Sequence, residues 1–170
     1  LDRYATDYGL AVLGGCCGTT PEHIRTLTQA LAARPVAART VEHEGAVSSL
    51  YSDVPLAQDT TYLAIGERTN ANGSKAFREA MLAENWDECL EIAKAQAREG
   101  AHLLDLCVDY VGRDGAADMT ELASRLATAT TLPIVLDSTE PEVLKAGLEH
   151  LPGRVMINSV NFEDGDGPTS

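Results

Sequence analysis

The sequence predicts an α/β fold in which parallel strands alternate with helices, and three observations lead to this prediction. Short apolar runs without polar alternation recur, as expected of strands covered on both faces; they lie at 62–65, 102–108, 134–136 and 155–157. Segments with helix-start signals separate these runs. Polar residues stand where each strand ends. Four strands in this alternation indicate a parallel sheet with right-handed crossovers. The geometry suggests half of an eight-stranded barrel, because closing a barrel takes about 200 or more residues and residues 62–170 are too few for that.

Composition and charge narrow the classes of partner. The chain has 170 residues, with 13 basic and 26 acidic side chains and a net charge of -13, which argues against duplex nucleic acid or an anionic membrane as partner. No apolar run approaches the roughly 20 residues of a membrane span, and no signal-peptide pattern is present. A soluble, cytoplasmic protein is expected. Leu1 stands where an initiator methionine would, which suggests a piece of a longer protein.

The first predicted unit is a strand and a helix joined by a glycine-rich turn. The strand is Gly9–Leu13, and Thr20 with Pro21 marks the start of a helix that ends at Arg34-Pro35. Between them, Gly14–Thr19 carries two adjacent thiols, Cys16 and Cys17. Glycines let the backbone bend so that both sulfurs converge on a metal ion; the alternative is a tight turn with two buried thiols. Two thiolates alone do not complete a zinc site.

Residues 36–61 lack helical or strand periodicity, apart from a possible short strand at Ser48–Tyr51, and are expected to be an interdomain linker packed on a surface. The remainder is predicted element by element from caps and apolar stripes. The predicted helices run from near Ser74 to about Glu84, from Asn85 with Glu88 to Gly100, from Asp118 with Glu121 to about Thr130, and from Thr139 with Glu142 to Leu151-Pro152-Gly153.

The polar strand ends are the candidate functional site. They comprise Glu67 with Asn70, then Asp105, Asp137 and Asn158. A single strand-end carboxylate is commonly a helix cap or an ion-pair partner. Four polar strand ends in succession on one rim favour a ligand site, because ligands bind at the carboxyl ends of parallel strands. Cys89 falls on a helix face with Trp86 and Leu90 and is expected to be a packed, inert thiol.

These motifs resemble the cobalamin-dependent methionine synthase family. Gly14–Thr19 resembles the last zinc-binding motif of that family's homocysteine-binding domain. Residues 66–74 resemble the start of its pterin-binding domain, and 136–139 and 157–159 match later strand ends of that domain. The resemblance implies a fragment of three parts: residues 1–35 end the homocysteine- and zinc-binding domain, 36–61 are the interdomain linker, and 62–170 form the N-terminal half of the pterin-binding domain. The implied fold is a partial (β/α)8 TIM barrel, preceded by the last β-α unit of another barrel.

The same resemblance implies the chemistry. The family moves a methyl group from 5-methyltetrahydrofolate to cobalamin and then to homocysteine, so these small molecules and the missing domains of the parent chain are the expected partners. Cys16 and Cys17 would be two of three zinc ligands, the third lying upstream. The cobalamin would be bound by a domain outside this chain, and the fragment alone would be inactive.

Roles at the pterin site follow residue by residue from the resemblance. Asp137 would accept from the ring N–H and the adjacent amino group, and Asn158 would be the catalytic amide near N5. Four further residues would line the site: Asn72, Gly73, Ser74 and Asp105. The family pattern Asp-x-Asn reads Asp105-Leu106-Cys107 here. A thiol cannot replace both halves of an amide, so Cys107 is expected to be a small buried apolar residue.

Two other interpretations stay open at this point. A dihydropteroate-synthase-like pterin enzyme would share the strand-end Asp and Asn residues but would not explain the adjacent cysteines within their glycine-rich turn. An inactive half-barrel would act as a binding or assembly module, its open strand edges paired with another copy.

Overall fold

The computed structural model describes residues 2–10, 12–32, 44–59 and 62–159. The chain divides into two compact units, residues 1–43 and 44–170. The predicted helix end at Arg34-Pro35, the beginning of the linker at 36–43 and everything after residue 159 lie outside the described residues.

The first unit contains two helices, α1 (Asp2–Tyr8) and α2 (Pro21–Leu31). The predicted start of α2 is confirmed: the Thr20 side chain accepts from the backbone N–H of His23, and Pro21 occupies the first turn. The predicted strand Gly9–Leu13 is wrong, because its described residues have no strand structure. A short apolar run becomes a strand when a neighbouring strand supplies hydrogen bonds, and none does so in the described part of this unit.

The second unit contains a parallel sheet whose strands follow chain order. Strands β3 (Ile65–Gly66), β4 (Leu103–Leu106), β5 (Ile134–Asp137) and β6 (Met156–Asn158) pair consecutively and in parallel. The connecting helices are α3 (Lys75–Leu82), α4 (Trp86–Arg98), α5 (Gly115–Ala129) and α6 (Pro141–His150). The predicted α/β class with a parallel sheet is therefore confirmed. The described strands form an open four-stranded sheet, so the half-barrel stays a prediction.

Two of the four predicted helix starts in this unit are correct and two are wrong. Ser74 and Asn85 cap α3 and α4, accepting from the backbone N–H groups of Phe77 and Glu88. The cap of helix α5 lies four residues before the predicted one, because Asp114 accepts from the Ala117 N–H, whereas Asp118 lies inside the helix and binds Arg113. Helix α6 is preceded by Glu140 rather than Thr139, without a side-chain cap, and Pro141 opens its first turn.

The sheet separates two apolar regions. On the helix side, Leu104, Leu106 and Leu136 pack with residues of the helices, including Phe77, Met81, Met119, Leu122, Leu126 and Val143. On the opposite side, called the inner face from here on, Leu103 and Val135 pack with Met156. Alternation along each strand assigns odd and even positions to different faces, as expected of pleated backbone.

A β-hairpin covers one end of the inner face. Strands β1 (Ala46–Ser48) and β2 (Asp53–Pro55) are antiparallel, and Val47 and Val54 pack against the inner apolar residues. The hairpin is fixed by hydrogen bonds to distant backbone: Ser49 Oγ donates to the Thr131 carbonyl at 2.7 Å, and Ser48 N donates to the Arg154 carbonyl at 2.9 Å. The predicted short strand at Ser48–Tyr51 overlaps β1 only at Ser48, because the chain turns at 50–52.

Candidate ligand site at the carboxyl ends of the strands

Three of the predicted site residues lie on the inner face, two positions beyond its apolar layer. Asp105, Asp137 and Asn158 follow Leu103, Val135 and Met156 on the same sides of their strands. The sheet register places Asp137 directly beside Asn158 and Asp105 beside Val135. The strands therefore bring the predicted carboxylates and amide together at one edge.

Asn70, from the turn after β3, joins these strand ends into one network. Its side-chain Nδ2 donates to Asp105 Oδ2 at 2.7 Å and to Asp137 Oδ2 at 3.0 Å. Asn158 Nδ2 donates to the other Asp137 oxygen at 3.0 Å. Sequence reasoning had placed Asn70 on the rim but assigned it no contact. The signal available was its place in the polar segment directly after a strand.

The environment of Asp105 disfavours its charged form. Asp105 is 7% exposed. Burial raises the pKa of its carboxyl, and the negative charges of Asp137 and Glu67 raise it further, while the hydrogen bond from Asn70 opposes these effects. A buried carboxyl beside a second carboxylate is typical of functional sites, although structural networks also produce it.

The predicted site residues Asn72, Gly73 and Ser74, between β3 and α3, mainly stabilise the turn that contains Asn70. The backbone N–H groups of Asn72 and Gly73 donate to Asn70 Oδ1 at 2.9 and 3.1 Å, and Ser74 caps α3. The side chain of Asn72 points towards Cys107, with Nδ2 at 3.5 Å from the sulfur.

Asn72 also lines an open cleft of about 590 Å³, together with Asp109, Tyr110, Val111, Gly112, Arg113, Thr139 and Glu140. Buried Ser138 borders this region: its hydroxyl donates to Asp109 at 2.9 Å, and its backbone N–H donates to the Asn158 carbonyl at 2.8 Å. Ser138 belongs to the sequence motif at 136–139 but had no role assigned to it; its position directly after Asp137 was the available signal. These bonds tie Ser138, directly after β5, to Asp109 after β4 and to the last residue of β6.

The two buried cysteines are poor nucleophiles. Burial raises the pKa of Cys107 to about 12 and that of Cys89 to about 11, and each side chain is 1% exposed. Both predictions of a packed thiol are confirmed. At neutral pH both groups are neutral thiols, because the pH lies far below each pKa. The thiolate, which is the reactive form, is therefore scarce.

Cys16 and Cys17 are exposed, which makes the alternative of two buried thiols wrong. Their turn is closed by a hydrogen bond from Thr19 N to the Cys16 carbonyl at 2.9 Å. Among the described residues, no group of three or more His, Cys, Asp or Glu side chains could hold a metal ion. A structural zinc site takes four protein ligands and a catalytic one three, so the described residues do not fit a complete zinc site.

No helix among the described residues is long and apolar enough to cross a bilayer.

Comparisons with known proteins match the two units to different families. Residues 66–169 match the family model described as pterin binding enzyme, and residues 2–31 match the one described as homocysteine S-methyltransferase. The chain is 66% identical over 170 residues to a methionine synthase of Mycobacterium tuberculosis. It is 63% identical over 175 residues to a methionine synthase of Mycobacterium leprae. These alignments cover 100% of this chain and 14% of each relative, so the chain spans about one seventh of the length of the curated relatives it matches.

Proposed function

The chain belongs to the pterin-binding enzyme family, and from that membership together with its identity to two methionine synthases we propose that it is part of a methyltransferase that makes methionine. In this proposal residues 62–170 contribute half of a barrel that binds 5-methyltetrahydrofolate. Residues 1–35 end a homocysteine-binding domain, and 36–61 join the two in a cytoplasmic enzyme. The observation that carries the proposal is the network of Asn70, Asp105, Asp137 and Asn158, inside the segment that matches the pterin-binding family.

Asp137 has the capacity to hold the pterin edge that presents a ring N–H beside an amino group. An ionised carboxylate offers about four acceptor positions. Asn70 and Asn158 occupy one on each oxygen of Asp137, which leaves both oxygens able to accept a ligand hydrogen. Two parallel hydrogen bonds to a carboxylate fix orientation as well as adding affinity.

Asn158 is the proposed amide that acts at N5 of the pterin. The side-chain Nδ2 donates to Asp137. In the proposal, the side-chain oxygen Oδ1 is the atom that accepts a ligand hydrogen, such as that of a protonated N5. Protonation at this nitrogen assists methyl transfer, because a neutral tertiary amine releases a carbon group poorly. If Asn158 is instead a second contact to the ring edge beside Asp137, its substitution will reduce affinity rather than the rate of methyl transfer.

The other site residues have supporting roles in the proposal. Asn72, Gly73, Ser74 and Asp105 line the pterin pocket, with Gly73 and Ser74 acting through the turn they build. Cobalamin supplies the methyl-accepting centre when it is bound by another domain. Because the described residues do not complete a zinc site, Cys16 and Cys17 are proposed only as a contribution to one whose further ligand lies elsewhere.

A second candidate, an assembly module without turnover, is favoured by one observation. The outer strands of the sheet carry partly exposed apolar residues: Ile65 on β3 and Ile157 on β6 are each 41% exposed. Unpaired strand edges of this kind pair readily with further strands. A dihydropteroate-synthase-like enzyme is less well supported, because it would not explain the match of residues 2–31 to homocysteine S-methyltransferases.

The test is a titration of 5-methyltetrahydrofolate into the full-length protein that carries this sequence. Asp137→Asn should weaken binding by about 1–3 kcal/mol, because it exchanges a charged acceptor for a neutral one. Asp59→Asn makes the same chemical change at an exposed position outside the site and should bind like the unmodified protein. Equal affinity of Asp137→Asn and Asp59→Asn would contradict the proposed pterin contact, and failure of the unmodified protein to bind would contradict the function.

A further inference from the structure

We propose that Asn70 is a positioning residue that holds Asp105 and Asp137 at the spacing at which they receive the donor groups of the pterin. The inference rests on the proposed function and extends it to a side chain that touches both carboxylates.

The hydrogen-bonding capacity of the Asn70 side chain is fully used. An amide has two N–H donors and an oxygen with two lone pairs. The two donors go to Asp105 and Asp137, at 2.7 and 3.0 Å, and the oxygen accepts from the backbone N–H groups of Asn72 and Gly73. With all four positions engaged, the amide cannot rotate without losing contacts, so its orientation fixes both carboxylates relative to the turn.

The two carboxylates need such a donor between them. Each accepts from the same nitrogen, so their oxygens lie close together, and Asp105 is 7% exposed. Like charges in a poorly hydrated place repel each other, and they either separate or take up a proton. The groups that raise the pKa of Asp105 are its burial, then Asp137 on β5 and Glu67 after β3; the Asn70 hydrogen bond lowers it. Nearby Cys107 stays neutral because its pKa is raised to about 12.

The fold of the turn does not depend on the Asn70 side chain alone. Backbone hydrogen bonds run from Asn70 N to the Glu67 carbonyl at 3.2 Å, from Ala71 N to the Cys107 carbonyl at 2.9 Å, and from Ser74 N to the Asn70 carbonyl at 2.8 Å. Substitutions of the Asn70 side chain should therefore leave the turn in place and change the spacing of the Asp105 and Asp137 carboxylates.

Two substitutions separate the positioning role from a purely structural one. Asn70→Asp keeps an oxygen that accepts from Asn72 N and Gly73 N but replaces the donor by a third negative charge. Asn70→Ala removes both functions. If Asn70 serves only the turn, Asn70→Asp will behave like the unmodified protein. If it positions the carboxylates, Asn70→Asp will bind 5-methyltetrahydrofolate at least as poorly as Asn70→Ala.

The experiment measures the affinity of the full-length protein for 5-methyltetrahydrofolate between about pH 5 and 9, with thermal unfolding as a check on folding. Both variants should lose about tenfold in affinity at pH 7, the size expected for hydrogen bonds to a charged group. The pH above which binding reaches its plateau should rise, because Asp105 then loses its proton at higher pH. Gln29→Ala, at an exposed position of α2, should keep the original affinity and pH profile.

The possible outcomes are distinct. Normal affinity and an unchanged pH profile for Asn70→Asp would overturn the positioning role while leaving the proposed function intact. Failure of both variants to fold would also overturn it, because the side chain would then be required for the fold. Absence of binding by the unmodified protein would contradict the proposed function itself.

Discussion

On the inner face of the sheet, the end that the hairpin covers is apolar, whereas the carboxyl end two residues further on is polar. The same three strands supply both layers: Leu103, Val135 and Met156 in the first, and Asp105, Asp137 and Asn158 in the second. The two layers lie on the same face of the same strands, so the difference in their side chains changes the chemistry of that face over two positions. The apolar layer stabilises the fold through burial, while in the polar layer the burial of the Asp105 carboxyl, which is 7% exposed, disfavours its charge at some cost in stability.

The largest expected effect comes from breaking the apolar layer. Leu103→Ala removes a fully buried side chain and should lower the free energy of unfolding by about 2–5 kcal/mol, because it combines lost burial with a cavity. Denaturant unfolding measures this loss. Leu148→Ala makes the same change at a side chain that is 45% exposed in α6 and should cost much less. Similar losses for the two variants would show that the inner apolar layer does not stabilise the sheet.

A smaller effect, of opposite sign, is expected in the polar layer. The pKa of Asp105 is raised in the folded protein, so the folded state binds its proton more tightly than the unfolded chain does. Stability from this group is therefore present below the unfolded pKa, near 3.8, and is lost as pH rises through the higher folded pKa. Asp105→Asn should be more stable than the unmodified protein at pH 7, by roughly 0.5–2 kcal/mol.

The gain of Asp105→Asn should disappear as pH falls towards 4, because the unmodified carboxyl is then protonated and also neutral. Unfolding followed at a series of pH values measures this convergence. The same variant should bind 5-methyltetrahydrofolate more weakly at pH 7. A variant that is less stable than the original at pH 7 would contradict a cost of charge in this layer.

The smallest expected effect concerns the thiol beside the polar layer. Cys107 is 1% exposed with a pKa raised to about 12, so it should resist a thiol reagent at pH 8 in the native protein. Cys16 and Cys17 are exposed and should react quickly once a chelator has removed any bound zinc. Mass spectrometry of peptides after brief labelling distinguishes the positions. Rapid labelling of Cys107 would mean that the carboxyl end of the inner face is open to solvent at that residue.

The sequence predicted the parallel sheet and the polar strand ends well, since both depend on local patterns. The runs at 134–136 and 155–157 became β5 and β6, and Asp137 and Asn158 fall on the rim as expected. The helix caps were harder, because Asp114 and Asp118 are both plausible caps one turn apart. Which of the two caps the helix depends on Arg113. This residue pairs with Asp118, and Asp114 is the N-cap.

Other features could not be predicted because distant segments create them. The hairpin strands have three residues each, too few for a periodic signal, and they are fixed through bonds from Ser49 to Thr131 and from Ser48 to Arg154. The role of Asn70 similarly depends on three strand ends meeting in space. Gly9–Leu13 shows the converse: an apolar run is not sufficient for a strand without a neighbour.

The attachment of the hairpin has a consequence for the order of folding. The Ser48 hydroxyl accepts from Arg154 N, a contact across 106 positions of sequence. Contacts so distant along the chain require a large loop to close before they form, which is slow relative to helix formation. During synthesis the hairpin leaves the ribosome before its packing partners, so Val47 and Val54 stay exposed to water until Leu103 and Val135 emerge. The bonds between Ser48 and Arg154 form only after that. We therefore expect docking of the hairpin to be a late step, after the helices and the central strands have formed.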